Sequence, residues 1–271
     1  MNCFEEMKGK VYVITGGAGA GAGGTGAEIC RRLVSVGAFV ALWDIADEKG
    51  KAMENGSVLY VHADVRREED VKAALEKTVA RLGRIDGLVN NAFWHADVQP
   101  PLHEMTLEDW DAHVSINLRC HFIVCKYVIP YLLKQKSSVI LNMSTTGAHR
   151  GEDGYYGYSA AKAGLEALTR NIAAEYGRNG LRANSLAPGL ILSPTFDEAV
   201  KAVPEYSEAF GRIDRNNLLF PGHGSGSDIA DIALFLLSDM SRYITGQCIV
   251  ADGGTISHFP QWAETHREIQ N

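Results

Sequence analysis

The stretch YYGYSAAK at 155–162 contains the residue pair best suited to chemistry in this chain. Tyr158 and Lys162 are four residues apart, so on a helix they share one face and their side-chain ends are within reach of each other. A free tyrosine has a pKa of about 10 and is a poor base at neutral pH, but a neighbouring ammonium favours the phenolate. The pair could therefore transfer a proton. Tyr155 and Tyr156 have no lysine four residues later, which predicts packing or rim positions.

A second candidate is the glycine-rich stretch TGGAGAGAGGTGAE, which begins at Thr15. It follows the apolar run VYVIT and precedes a helical pattern, which is where a doubly wound fold binds pyrophosphate. Glycine lets the backbone approach the phosphates, and the free N–H groups of a helix N-terminus attract the anion. The G-x-G-x-x-G pattern fits in two registers, ending at Gly24 or at Gly26, so it does not identify the phosphate contacts. A disordered Gly/Ala tract is the alternative.

The next apolar run, AFVALWD, ends at Asp44, eighteen residues after Gly26. An acidic side chain there can hydrogen-bond the adenosine ribose hydroxyls of a dinucleotide, and its charge would repel a 2′-phosphate. No arginine stands next to Asp44, so the sequence predicts NAD rather than NADP as the cofactor. The alternative is that Asp44 or Asp47 only caps the following helix.

Seven short apolar runs alternate with helix-period segments, and we predict that they are the strands that position these residues. They lie at 11–15, 38–44, 58–65, 87–92, 138–144, 181–189 and 247–254. Between two of them, Val71, Leu75, Val79 and Leu82 share one helix face, as in a helix packed on a sheet. The pattern predicts an α/β fold, a Rossmann-like doubly wound parallel sheet of about seven strands with helices on both faces. No repeat or linker divides the chain, so a single domain over 1–271 is expected.

The composition indicates an enzyme rather than a membrane or nucleic-acid-binding protein. The 271 residues are 46% hydrophobic, with a net charge of −7 and no Lys/Arg-rich run, which argues against nucleic acid or an anionic membrane as partner. The five cysteines form no CxxC pair and no cluster with histidine at zinc spacing, so free thiols and no metal are expected. The N-terminus lacks a signal pattern and no apolar run has membrane length, which predicts a cytoplasmic location.

Eight short motifs together resemble the short-chain dehydrogenase/reductase family from Lys10 to Gly254. They are TG…GTG at 15–26, DV at 64–65, NNA at 90–92, IN at 116–117, NMST at 142–145, YSAAK at 158–162, NSLAPG at 184–189 and ITGQCIVADGG at 244–254. Each is short, but they occur in the family's order and on the expected elements. The resemblance implies an NAD-dependent oxidoreductase of the alcohol dehydrogenase type, which acts on CH–OH groups and interconverts a secondary alcohol and a ketone by hydride transfer.

The resemblance also implies a catalytic set, carried over residue by residue. Tyr158 would be the acid/base, Lys162 would hold the nicotinamide ribose and lower the tyrosine pKa, and Asn117 would anchor a water in the proton relay. The hydroxyl that orients the substrate oxygen is Thr145 if the motif is counted without gaps, or Ser144 after a slip of one residue. We favour Thr145, and the other hydroxyl would then only hydrogen-bond locally at the strand end.

The cofactor contacts implied by the resemblance extend along most of the chain. They are Thr15, Gly16, Gly24, Thr25, Gly26, Asp44, Ile45, Asp64, Val65, Asn91, Ala92, Tyr158, Lys162, Pro188, Gly189, Ile191 and Ser193.

Three departures from the family pattern affect this set. Seven residues rather than three separate the TG and GTG pairs, an excess of four. Phe93 stands where a glycine normally lets the chain pass close to the cofactor. The threonine expected after the PG pair is Ser193, with Thr195 two residues further on.

The residues expected around the substrate are mostly apolar. The candidate contacts are Phe93, Trp94, His149 and Tyr155, which indicate a largely apolar small molecule, cyclic or aromatic. The segment 193–225 is expected to be a lid whose apolar inner face carries Phe196, Val200, Val203 and Phe210. His95, His103 and His149 could contact the substrate, but scattered surface positions are the favoured interpretation.

The resemblance also bears on the oligomeric state and on alternative functions. Members of the family are commonly tetramers built on helices around 106–133 and 155–177, so a homotetramer or homodimer is expected, with the tail 255–271 closing a neighbouring subunit's site. A non-redox enzyme such as an epimerase or dehydratase, or a non-catalytic dinucleotide-binding regulator, remains an alternative on the same fold. The intact glycine loop, Tyr158 and Lys162 favour redox catalysis.

Overall fold

The computed structural model describes residues 4–19, 24–94, 100–193 and 222–258, with 198, 200, 202–205, 207–208, 211 and 217–220. Its centre is a seven-stranded parallel sheet of order β3-β2-β1-β4-β5-β6-β9. These strands are β1 (Val11–Thr15), β2 (Phe39–Asp44), β3 (Val58–His62), β4 (Gly87–Asn90), β5 (Ser138–Met143), β6 (Leu181–Pro188) and β9 (Cys248–Ala251). A separate parallel pair joins β7 (Ile191–Leu192) to β8 (Gly224–Ser225). The predicted fold class is confirmed.

The strands form where the sequence is apolar on both sides of the chain. In β1, β4 and β5 every residue is buried, because helices cover both faces of the sheet. The predicted run 58–65 is too long, since β3 ends at His62 and Asp64 then takes part in a turn. The run 247–254 likewise extends three residues beyond β9, and the remaining runs differ from their strands by at most two residues at an end.

The helices form one layer on each face. They are α1 (Thr25–Ser35), α2 (Asp47–Met53), α3 (Glu68–Leu82), α4 (Leu107–Val114), α5 (Cys120–Leu132), α6 (Tyr156–Tyr176) and α7 (Gly226–Leu237). Ile29 of α1 and Ile229 of α7 belong to the core on one face. Val71 of α3, Val128 of α5 and Ile172 of α6 belong to the core on the other face. The α3 face predicted from the sequence packs as expected, with Val79 and Leu82 partly buried against that core.

The lid and the tail are described only in part. Val200 is buried and Val203 is 37% exposed, whereas Phe196 and Phe210 lie outside the described residues. Of the tail, the structure describes only residues up to His258. The extents of lid and tail stay predictions. Among the described helices, none combines the length and apolar character needed to cross a bilayer.

Candidate active site

The carboxyl ends of β1 and β4 form the centre of the candidate cofactor site. β1 lies between β2 and β4, so the strand order reverses here, and doubly wound sheets bind ligands at such a point. Thr15 Oγ1 accepts hydrogen bonds from the N–H groups of Asn91 (3.1 Å) and Ala92 (3.2 Å). Asn91 Nδ2 donates to the Gly16 carbonyl at 2.7 Å. Four of the sequence-predicted cofactor residues are therefore tied together at one edge of the sheet.

Glycines of the loop allow the backbone to pack closely here. Gly16 has φ +65°, and a Cβ on it would lie 2.5 Å from Ala92 Cα. A Cβ on Gly26 would lie 2.7 Å from both Asn91 Nδ2 and Gly17 Cα. α1 begins at Thr25, and its N-cap Gly24 has no side chain to cap the first turn. Amide groups at that helix end suit the pyrophosphate of a dinucleotide, so the donor set fits the cofactor.

Gly26→Ala is expected to destabilise the protein by about 1–3 kcal/mol and to weaken NAD binding, because the added Cβ overlaps backbone of the loop. Gly19→Ala is the matched control. Its Cβ would meet only Asp44 Oδ2, at 3.9 Å, which is ordinary contact. Urea unfolding and NAD titration of both variants check the expectation, and equal losses would contradict it. The remaining loop residues 20–23 lie outside the described part of the chain.

The Asp44 side chain, predicted from the sequence to bind the adenosine ribose, accepts hydrogen bonds from the glycine loop. The side chain is buried, and Oδ2 accepts hydrogen bonds from the N–H groups of Ala18 (2.7 Å) and Gly19 (3.0 Å). Oδ1 accepts from the Ala46 N–H at 2.9 Å. On the other side of the loop, Lys49 Nζ donates to the Gly19 carbonyl at 2.7 Å. The sequence indicated no such contact, because Ala18 and Gly19 lie in a tract with no distinguishing side chains.

The predicted adenosine contacts also include residues after β2 and β3. Ile45 follows β2 and is 59% exposed, and Val65 is buried in the core. Asp64 pairs with Arg66, which donates from Nη2 at 2.6 Å, and hydrogen bonding from Arg66 lowers the pKa of the Asp64 carboxyl. Asp64 is thus ionised and fixed in place.

The helix α6 positions the predicted catalytic pair. Lys162 is 1% exposed and donates to the Met143 carbonyl at the end of β5, at 2.7 Å. Its Nζ lies 5.8 Å from the ring centre of Tyr158. Burial lowers the pKa of Lys162 to about 8. The spacing argument for a shared face therefore agrees with the structure.

The pKa of Tyr158 is raised in the protein without cofactor. Burial raises it to about 12, and a hydrogen bond with Thr145 partly opposes the rise. Glu152 and Tyr155 add to the rise. The expectation that Lys162 lowers the pKa of Tyr158, together with an oxidised nicotinamide, stays a prediction for the cofactor complex.

The two candidate hydroxyls point to different partners. Ser144 is buried, and its Oγ donates to Glu166 Oε1 at 2.5 Å. Thr145 is half-buried and hydrogen-bonds Tyr158, and its Oγ1 accepts from the Gly147 N–H at 3.3 Å. The structure therefore brings Thr145 to the tyrosine, whereas the Ser144 hydroxyl donates to Glu166.

Asn117 lies in a π-helical turn, Ser115–Arg119, between α4 and α5. The side chain is fully buried and Nδ2 donates to the carbonyls of Trp94 (2.8 Å) and His113 (3.0 Å). Asn117 Oδ1 accepts from the Trp94 N–H at 3.3 Å. A single π-turn inside a long helix is frequent at functional sites, because it redirects backbone groups.

The predicted substrate residues separate into two groups. Phe93 and Trp94 are 55% and 47% exposed, and the Tyr155 ring lies edge-on to Tyr158 with centres 6.3 Å apart. These positions suit a substrate entrance. His149 contacts Glu166 Oε1 at 3.0 Å, and its role as a substrate contact stays a prediction.

The other histidines named from the sequence do not add to this group. His103 is exposed beside Glu104, and His95 lies outside the described residues. His103 is therefore a surface residue, as the favoured interpretation held.

The predicted nicotinamide side follows β6. The Gly189 N–H donates to the Ala251 carbonyl at 3.0 Å, and a Cβ on Gly189 would lie 2.7 Å from Asp252 Cβ. Pro188 ends β6, Ile191 begins β7 and Ser193 follows it, while Thr195 lies outside the described residues.

Two features near the site were missed by sequence reasoning. A buried chain of polar groups links Asn90 Nδ2 to Asn142 Oδ1 (2.8 Å), then Asn142 Nδ2 to Thr169 Oγ1 (2.7 Å), and Thr169 to Ser185 (2.8 Å). The second feature is Glu166, one helical turn after Lys162, whose Oε1 contacts Ser144, His149 and Cys248. The four-residue spacing from Lys162 could have identified Glu166.

Known proteins are similar to this chain along nearly its full length. The profile of a family described as enoyl-(acyl carrier protein) reductase matches residues 19–256. Levodione reductase of Leifsonia aquatica is 36% identical over 258 residues, covering 90% of this chain and 93% of that protein. The 2,5-dichloro-2,5-cyclohexadiene-1,4-diol dehydrogenase of Sphingobium indicum is 34% identical, covering 93% and 98%. A crystal structure from Burkholderia xenovorans assigned to the short-chain dehydrogenase/reductases has a TM-score of 0.85 and 32% identity, covering 94% and 99%.

Proposed function

Since this chain belongs to the short-chain dehydrogenase/reductase family, whose members are oxidoreductases acting on CH–OH groups, we propose that it is an NAD-dependent alcohol dehydrogenase. It interconverts a secondary alcohol and a ketone on a largely apolar, cyclic or aromatic small molecule. The observation that carries the proposal is the position of Lys162 Nζ, 5.8 Å from the ring centre of Tyr158 and one helical turn away, with Thr145 hydrogen-bonded to that tyrosine. These residues make a proton donor–acceptor pair.

In the proposed mechanism each residue has a separate task. Thr145 orients the substrate oxygen, and the Tyr158 hydroxyl exchanges a proton with that oxygen. A bound nicotinamide would supply the hydride acceptor or donor, and in its oxidised form a positive charge that favours the phenolate. Lys162, with a pKa of about 8, can exchange a proton near neutral pH. Asn117 would hold a water that carries the proton onward.

The proposed substrate class rests on the apolar entrance and on relatives. Phe93 and Trp94 offer exposed aromatic surface beside the site. One relative is a dehydrogenase of a chlorinated cyclohexadiene diol, which is a cyclic alcohol. Both observations favour a ring-shaped substrate.

The experiment is a nicotinamide absorbance assay with NAD and a panel of cyclic secondary alcohols. Tertiary alcohols of the same size are the control, because their carbinol carbon has no hydrogen to transfer. NAD reduction with secondary alcohols only is the expected result. Isomerised or dehydrated products without net NAD reduction would favour an epimerase or dehydratase. NAD binding without turnover of any panel member would favour a regulator.

The cofactor preference yields a prediction at Asp44. We expect kcat/KM with NAD to exceed that with NADP by at least about tenfold, or about 1.4 kcal/mol, because the carboxylate repels a 2′-phosphate. Asp44→Ala should reduce that ratio, because it removes the repelling carboxylate while Lys49 of α2, which donates to the Gly19 carbonyl, keeps a positive charge at this loop. Asp47→Ala is the matched control, since it removes a nearby charge that pairs with Tyr60 and His62 instead of the loop. Equal use of NAD and NADP by the parent enzyme would contradict the assignment.

We also propose that the protein is a homotetramer or homodimer and that it is located in the cytoplasm. Leu107, Trp110 and Phe122 are large exposed apolar side chains on α4 and α5, where the family's subunits commonly meet. The described cysteines are free thiols, which suits a reducing compartment. Analytical ultracentrifugation measures the oligomeric state.

A further inference from the structure

Three side chains from different elements converge beside the candidate active site. His149 lies in the loop after β5, Glu166 on α6, and Cys248 at the start of β9. His149 Nε2 lies 3.0 Å from Glu166 Oε1, Cys248 Sγ lies 3.3 Å from the same oxygen, and Cys248 Sγ lies 3.5 Å from His149 Nε2. One nitrogen, one oxygen and one sulfur atom thus form a nearly equilateral triangle.

The size of this triangle matches a face of a tetrahedral zinc site. Zinc binds histidine nitrogen and carboxylate oxygen at about 2.0–2.2 Å and thiolate sulfur at about 2.3 Å, so ligand atoms in a tetrahedron lie about 3.3–3.6 Å apart. The observed edges are within a few tenths of an ångström of those lengths. From this geometry we propose that His149, Glu166 and Cys248 form a binding site for a divalent transition metal, with Zn²⁺ the best match.

The charges and the surroundings also suit a dication. A thiolate and a carboxylate balance the two positive charges, and a neutral imidazole supplies the third ligand. Ser144 Oγ donates to Glu166 Oε1, which orients the carboxylate, and Glu166 is only 7% exposed. Metal ligands are commonly held by such hydrogen bonds.

The backbone fixes the sulfur on the correct side of the sheet. Cys248 is paired with Ser185 across β6 and β9, and paired residues of neighbouring strands point to the same face. The Ser185 hydroxyl contacts Thr169 of α6 at 2.8 Å, so this is the face covered by α6. The site therefore connects the edge strand of the sheet to the helix that carries Tyr158 and Lys162.

Binding of one metal ion releases one proton. The Cys248 thiol loses its proton to solvent and the sulfur electron pair bonds to the metal, while neutral His149 and ionised Glu166 bind without a change in proton count. Three protein ligands leave the fourth tetrahedral position for a water. Occupancy of the site would tie α6, the loop after β5 and β9 together.

Cobalt titration of the purified full chain, freed of metal by a chelator, tests the site. One Co²⁺ per chain should bind with the visible bands of tetrahedral cobalt and a sulfur-to-cobalt charge-transfer band, and Zn²⁺ should displace it and raise Tm. Cys248→Ser and His149→Gln should each weaken binding by more than about 100-fold, because loss of a side chain that only orients a ligand already costs about 10–100-fold. Cys30→Ala and His103→Gln are the matched controls and should bind as the parent does.

X-ray absorption of the zinc-loaded parent protein keeps the test independent of whether the variants fold. One sulfur ligand at about 2.3 Å is expected. Absence of that sulfur ligand, absence of a charge-transfer band in the folded parent, or equal binding by Cys248→Ser and the parent would overturn the proposal.

Discussion

Tyr158→Phe should lower kcat by about 1,000-fold, which is within the range that a positioned acid/base contributes. The substitution removes only the hydroxyl that hydrogen-bonds Thr145. The cofactor residues tied together at the ends of β1 and β4 are untouched, so NAD binding should change little. Steady-state kinetics and NAD titration of the same preparation measure the two quantities separately.

Tyr155→Phe is the matched control for this variant. Its ring lies edge-on to Tyr158, so the substitution makes the same chemical change 6.3 Å away, and kcat should stay within about tenfold of the parent. If Tyr158→Phe retained a large share of turnover, or if both variants lost it equally, Tyr158 would not be the proton-transfer group.

Thr145→Val should lower kcat by about 100-fold, because it removes a hydroxyl aimed at the reacting oxygen while keeping the branched shape of the side chain. Ser144→Ala is the comparison. Ser144 Oγ is engaged by the buried Glu166, so its loss should affect stability more than turnover. Kinetics and thermal melts of both variants test the ranking, and the opposite ranking would transfer the orienting role to Ser144.

The strands could be predicted because burial on both faces leaves an uninterrupted apolar run, as in VYVIT. The shared helix face of Tyr158 and Lys162 follows from their four-residue spacing alone. The glycine-loop contacts could not be predicted, because repeated glycines and alanines give no signal for which amides Asp44 binds. The rise of the Tyr158 pKa could not be predicted either, since its main cause is burial, which depends on how the chain packs.

The group formed by His149, Glu166 and Cys248 shows a further limit. Rules for zinc sites look for ligands close together in sequence, whereas Glu166 and Cys248 are 82 residues apart. Only the parallel pairing of β6 with β9 places that cysteine over α6. Sequence spacing therefore predicted no metal at a place where the fold assembles three ligand types.

The hydrogen bonds of Asp44 have a kinetic consequence. A carboxylate has about four acceptor positions, and the amides of Ala18, Gly19 and Ala46 use three of them. A ribose diol that donates twice must therefore displace at least one of these three amides. Cofactor association then includes an opening step whose rate does not depend on ligand concentration. In stopped-flow experiments the observed rate should rise with NAD and reach a plateau, and that plateau would report how fast the displaced amide releases Asp44.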